Sequence, residues 1–137
     1  MNHKFLINNL EEFIEKHSKY GSDTPISLAY INNGCMPYSY ALAKNLIHTY
    51  KKVYVLHIAD YHCVTLVNKL CIDITIGAVF DKHPQNVITQ NLKPTYKLSN
   101  FIQKEFDKYW TDSVYTNKKL TFEAFKITSM GFKRHYA

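Results

Sequence analysis

The sequence has little of what staples or punctuates a chain. Of its 137 residues four are glycine, four are proline and three are cysteine, and Arg134 is its single arginine. So few glycines and prolines exclude collagen-like and low-complexity architectures, and no repeat is present. The cysteines, Cys35, Cys63 and Cys71, are odd in number and lack short regular spacing, which excludes a disulfide framework and a CxxC zinc or redox motif. Long hydrophobic runs are missing too: no stretch approaches the roughly 18 apolar residues of a membrane span. At the N-terminus Glu11, Glu12 and Glu15 interrupt the apolar residues, so the segment does not read as a signal peptide. The expectation is a cytoplasmic protein with free thiols and no membrane partner.

The shortage of arginine bears on partners. A net charge of +6 comes almost wholly from lysine. Lysine lacks the bidentate fork that reads bases and phosphates, so nucleic acid is not the expected partner. Lys51-Lys52, Lys118-Lys119 and Lys133-Arg134 read as helix ends or solvated turns. Abundant Asn, Lys, Ile and Tyr suggests an AT-rich coding sequence, as many phages and some bacteria have, which places the protein in a bacterial or host cytoplasm.

What is present is 46% hydrophobic residues, including 11 tyrosines and 8 phenylalanines. A chain of this length buries roughly 68% of its unfolded surface, so residues 1–137 read as one globular domain. Phe5, Leu6, Leu10, Phe13, Ile14 and the stem of His17 follow helical spacing, ended by Tyr20-Gly21. After the break at Asn32-Asn33-Gly34, a second helical pattern runs from Cys35-Met36-Pro37 to Tyr50, with Pro37 suited to a first turn. The pattern then turns to β-branched and aromatic runs, Val53–Ala59, His62–Val67 and Leu70–Ile76, whose short separators predict an antiparallel meander. Beyond Gly77, Pro84 and Pro94 bound loop or edge-strand material. Leu98-Ser99-Asn100 opens a helix carrying Phe101, Ile102, Phe106, Tyr109 and Trp110, and Thr121–Thr128 reads as a short helix or strand. The fold class is α+β, with N-terminal helices packed on an antiparallel sheet.

Three polar residues fall where this outline makes them interesting together. Cys35 opens a helix, where unpaired N–H groups and the positive dipole end favour a thiolate and a developing oxyanion. A thiol nucleophile needs an imidazole, and the imidazole needs an acceptor to fix its tautomer. If Asn68-Lys69 is a two-residue turn, Val67 faces Leu70, Leu66 faces Cys71 and Val64 faces Asp73. His62 and Asp73 then become diagonal neighbours on one face, roughly 7–8 Å apart at Cα. Cys63 alternates away from His62, and both Cys63 and Cys71 fit strand packing. His57, Asp60, His62 and Asp73 lie close in sequence, but without HxH or HExxH spacing they predict no metal, and no cofactor is expected.

A helix opened by Gly34-Cys35 and continued by Ala41-Leu42-Ala43, then His62-x-Val64-x-x-Val67 and Ile72-Asp73-x-Thr75, resembles the papain-like and transglutaminase-like cysteine hydrolases over about residues 30 to 77. The resemblance implies that Cys35 is the nucleophile, His62 the base and Asp73 its orienter. Asn33 or Asn32 is then the side chain available to an oxyanion hole. Met36 stands where transglutaminases often carry an aromatic residue beside the substrate, and Ala29 where papain-type enzymes carry glutamine. The expected function is a peptidase, deamidase or transamidase acting on an amide bond of a protein or peptide through a thioester. The alternative is a non-enzymatic binding protein, such as a phage-encoded inhibitor of a host factor, on a degenerate version of that fold.

Overall fold

A computed structural model describes residues 3–19, 35–59, 62–90, 92–98 and 121–135. Its first element, α1, spans Lys4–Lys19. Leu6, Leu10, Phe13 and Ile14 are buried, and His17 stacks on Phe13 with ring centroids 4.2 Å apart. Phe5 is a correction: its side chain is 63% exposed. Each residue advances about 100° around a helix, and Phe5 lies one such step outside the stripe centred on Leu6, Leu10 and Phe13.

The second helix, α2, spans Cys35–Leu46, so Cys35 is its first residue and Pro37 sits in the first turn. Tyr38, Ser39, Leu42, Ala43 and Leu46 are its buried positions. Two of these, Ser39 and Ala43, are small, which lets the helix axis approach the sheet closely.

The meander follows as β1 (Val53–Ile58), β2 (His62–Val67) and β3 (Leu70–Asp73). Asn68 and Lys69 both have positive φ, 47° and 65°, the signature of a type I′ turn whose twist matches the flanking strands. The register has Val67 opposite Leu70, Leu66 opposite Cys71 and Thr65 opposite Ile72, as the two-residue turn requires. The third predicted strand is shorter than the sequence suggests, because Ile74–Ile76 form a 3-10 turn that ends on Gly77 at φ 67°. The chain then re-enters the sheet as β4 (Ala78–Phe80), runs through α3 (Pro84–Gln90) and ends this half with β5 (Tyr96–Lys97).

The sequence showed three strands, whereas the described residues form seven, all antiparallel, in the order β5-β4-β3-β2-β1-β6-β7. Residues Thr121–Thr128, open between helix and strand, are resolved as strand β6 (Phe122–Thr128), which pairs with the free edge of β1. Its hairpin partner β7 (Gly131–His135) was not anticipated, since Lys133-Arg134 read as a solvated turn, although Ser129 and Gly131 do carry a turn signal. Charged side chains suit this outermost strand, where they discourage edge-to-edge pairing. The aromatic helix expected beyond Leu98 and the segment Ser27–Ile31 lie outside the described residues.

Both sheet faces carry core. On one, α1 and α2 cover Val53, Val55, Cys63, Val67, Leu70, Ile72 and Val79; on the other, Leu56, Ile58, Val64, Cys71, Ala78 and Phe80 pack with Val87 of α3. Among the described residues, no helix is long and apolar enough to cross a membrane. Lys69 sits in a left-handed conformation that glycine adopts without cost. Lys69→Gly is therefore expected to stabilise the fold by about 0.5–1 kcal/mol, read as a higher urea midpoint at unchanged m-value.

Candidate active site

The site begins with the way α2 is fastened to β2. Ser39 Oγ donates to the Cys63 carbonyl at 3.1 Å, and Thr65 Oγ1 donates to the Ser39 carbonyl at 3.0 Å. A third polar bond, between Tyr40 Oη and His57 Nε2 at 2.9 Å, ties the helix to β1. These bonds fix the N-terminal turn of α2, and Cys35 with it, over one end of β2.

At that end the sheet is interrupted. In a two-residue hairpin Val67 and Leu70 exchange both backbone bonds, and alternation makes Cys63 the next-but-one residue to direct its N–H and C=O toward β3. Residue Ile74 would answer there, but it has entered the 3-10 turn. Its place is filled from the helix: Ser39 takes the Cys63 carbonyl, and the Cys63 N–H is directed at the Cys35 sulfur.

Around this gap Cys35, His62 and Asp73 converge. His62 is 4% exposed and Asp73 fully buried, and His62 Nε2 lies 2.7 Å from Asp73 Oδ2. The carboxylate's second oxygen, Oδ1, accepts from Thr75 Oγ1 at 3.2 Å. With Nε2 committed to Asp73, Nδ1 is the ring nitrogen left for Cys35, whose thiol is in hydrogen-bonding contact with His62. The diagonal relation expected for His62 and Asp73 is thus present, although the ladder between their strands stops at Ile72.

Strand alternation sends the side chains of His62 and Cys63 to opposite faces, yet both reach Cys35. The imidazole approaches through the gap left by β3, and the Cys63 thiol approaches from the helix-covered face. Cys63 packs in the core as its strand position predicts, and in addition its thiol lies in hydrogen-bonding contact with Cys35. Its parity matches Thr65 and Val67, the face α2 covers, and that was the available signal. Cys71 lies fully buried on the opposite face, with packing as its visible role.

The electrostatics follow from these contacts. The hydrogen bond from Cys63, together with the His62 ring and the Cys63 N–H, outweighs partial burial and brings the Cys35 thiol down to about 4. Burial alone would push His62 down, but the Asp73 carboxylate and the Cys35 thiolate outweigh it and hold the ring up near 10. Cys63 moves the other way, raised by its bond to Cys35 and by burial. Both shifts favour the thiolate of Cys35 beside the imidazolium of His62.

Of the other predicted site residues, Met36 lies in the first turn of α2 with its side chain half-exposed. Its N–H is in the turn where the helix ladder supplies no acceptor. Asn32 and Asn33 lie outside the described residues. Among the described residues, no group of three or more His, Cys, Asp or Glu side chains is arranged to hold a metal ion. Two cavities, of about 550 and 730 Å³, lie beside the β2–β3 turn and the C-terminal end of α2, and neither is lined by a residue of the Cys35 constellation. No family model, curated protein or solved structure matches the chain.

Three outcomes are expected. Asp73→Ala leaves a buried imidazole without its counter-charge and lowers stability by about 3–5 kcal/mol, measured by denaturant unfolding. Iodoacetamide alkylates Cys35 at a nearly constant rate from about pH 5 to 9, falling only as the thiolate takes a proton toward pH 4. In His62→Ala the thiolate loses one of its supports, so the rate at pH 6 drops about tenfold or more. Both follow from site-resolved mass spectrometry.

Proposed function

We propose that the protein is a small cysteine hydrolase or acyltransferase, of papain-like or transglutaminase-like arrangement, acting on an amide bond of a protein or peptide. The observation that carries this reading is the buried line from Asp73 Oδ2 to His62 Nε2 and from the His62 ring to the Cys35 thiol at a helix N-terminus. Such a line meets the needs of a thiol nucleophile: an ionised sulfur, an imidazole beside it and a third group orienting the ring.

In this reading Cys35 attacks the carbonyl carbon as the thiolate it already is. Negative charge gathers on the carbonyl oxygen, facing the Met36 N–H and the positive end of α2. His62, protonated at rest, gives its proton to the leaving amine as the C–N bond breaks, and the thioester remains on Cys35. The ring, now neutral, draws a proton from the water or amine that resolves the thioester. Asp73, held on its other oxygen by Thr75, keeps the imidazolium charged and oriented through the cycle. Peptidase, deamidase and transamidase outcomes differ only in the acyl donor and in the acceptor. Chemistry of this kind depends on a reduced thiol and belongs in a reducing compartment such as the cytoplasm.

The test uses a generic acyl donor, a p-nitrophenyl ester, with the full chain. A burst of nitrophenolate with one acyl group on Cys35 is expected, absent in Cys35→Ala. Asp73→Asn should retain acylation with a rate reduced by roughly 10²–10⁴, as removal of a triad orienter does elsewhere. Acylation spread equally over the three cysteines, or indifferent to His62→Ala, would refute the enzyme. Persistence of the protein's biological effect in Cys35→Ala would favour the binding-protein reading.

A further inference from the structure

Cys63 is the one group at this site that acyl transfer leaves without a chemical task. It is a second thiol, buried, on the strand residue next to the imidazole, with its S–H directed at the Cys35 sulfur. Cys35 is partly exposed and Cys63 is not, so a small oxidant from solvent meets Cys35 first. We propose that Cys35 and Cys63 form a peroxide-responsive pair, in which Cys35 is oxidised by a hydroperoxide and Cys63 resolves the product as an intramolecular disulfide. This rests on the contact between a partly exposed and a buried thiol where α2 is fastened to β2, and not on Cys35 transferring acyl groups.

The steps balance. The Cys35 thiolate attacks one oxygen of the hydroperoxide; the S–O bond forms, the O–O bond breaks, and the departing oxygen takes the His62 proton and leaves as water or an alcohol. Sulfur is oxidised by two electrons and the peroxide is reduced by two. The Cys63 thiol then attacks the Cys35 sulfur: the S–S bond forms, the S–O bond breaks, and hydroxide leaves with the Cys63 proton as water. The base for that proton is at hand, because His62 was neutralised in the first step.

Geometry and charge favour this order. The two sulfurs are already in contact across the α2–β2 junction and must close to about 2.05 Å for the bond to form. The negative charge on Cys35 helps hold the proton on Cys63. Oxidation of Cys35 thus removes one of the two main causes that keep Cys63 protonated, burial being the other. Cys71 is fully buried on the sheet face away from Cys63 and serves as an internal control. The disulfide would hold Cys35 out of acyl transfer and protect it from irreversible overoxidation.

The experiment treats the reduced full chain with hydrogen peroxide, blocks remaining thiols under denaturing conditions, and maps peptides without reduction. The expected result is a loss of about two mass units, a Cys35–Cys63 cross-linked peptide, Cys71 still blockable, and full reversal by dithiothreitol. In Cys63→Ser no cross-link forms, and dimedone traps at least about tenfold more Cys35 sulfenic acid than in the unaltered chain. Should Cys35 of the unaltered chain proceed to sulfenic or sulfinic acid while Cys63 stays blockable, or should the bridge involve Cys71 or a second molecule, the pair is overturned. A disulfide without an acyl-enzyme would defeat the acyl-transfer reading alone, and an acyl-enzyme without a disulfide would defeat the redox pair alone.

Discussion

The buried contact between His62 and Asp73 is the constraint around which the rest of the site is arranged. A carboxylate with no solvent exposure is costly unless a partner and further hydrogen bonds compensate its lost hydration. Asp73 has both, in the His62 ring and the Thr75 hydroxyl. The hairpin turn, the end of the β2–β3 ladder and the 3-10 turn that presents Thr75 all act to hold those three side chains together. Once the imidazole is held by a negative charge on one side, it is driven to carry a proton, and the thiol on its other side is driven to lose one.

The helix contributes through placement more than through bulk. Its small buried residues allow close approach, and Ser39 takes up the Cys63 carbonyl, which an uninterrupted sheet would have paired within itself, while the Thr65 hydroxyl binds the Ser39 carbonyl in return. The gap in the sheet is therefore a socket and not a defect: its orphaned carbonyl anchors the helix and its orphaned N–H faces the sulfur the helix carries.

Much of this was legible in the residues. The two-residue turn at Asn68-Lys69 fixed the parity of His62 and Asp73, and Pro37 fixed the start of the helix behind Cys35. Nearly continuous β-branched and aromatic runs marked the central strands because both of their faces are covered. What could not be read depended on distant partners. Strand β7 is short and polar, and β6 is identified only by β1, which lies far from it in sequence. Cys63 packs as its alternation away from His62 predicts, but its contact with Cys35 was not legible, because an interrupted ladder lets two successive residues reach one sulfur and periodicity carries no sign of the interruption.

The type I′ turn has a further consequence, one of timing. It joins His62 and Asp73 across only 11 residues, a local contact of the kind that forms within microseconds. The helix bonds that deliver Cys35 span 24 and 26 residues, and the sheet is completed by strands from the far end of the chain, contacts whose loop-closure entropy delays them. The acid-base half of the site can therefore exist before the sulfur arrives, and Cys35 keeps the sluggish chemistry of an ordinary thiol throughout synthesis and collapse. The surroundings that favour its thiolate are completed last, as a property of the finished fold.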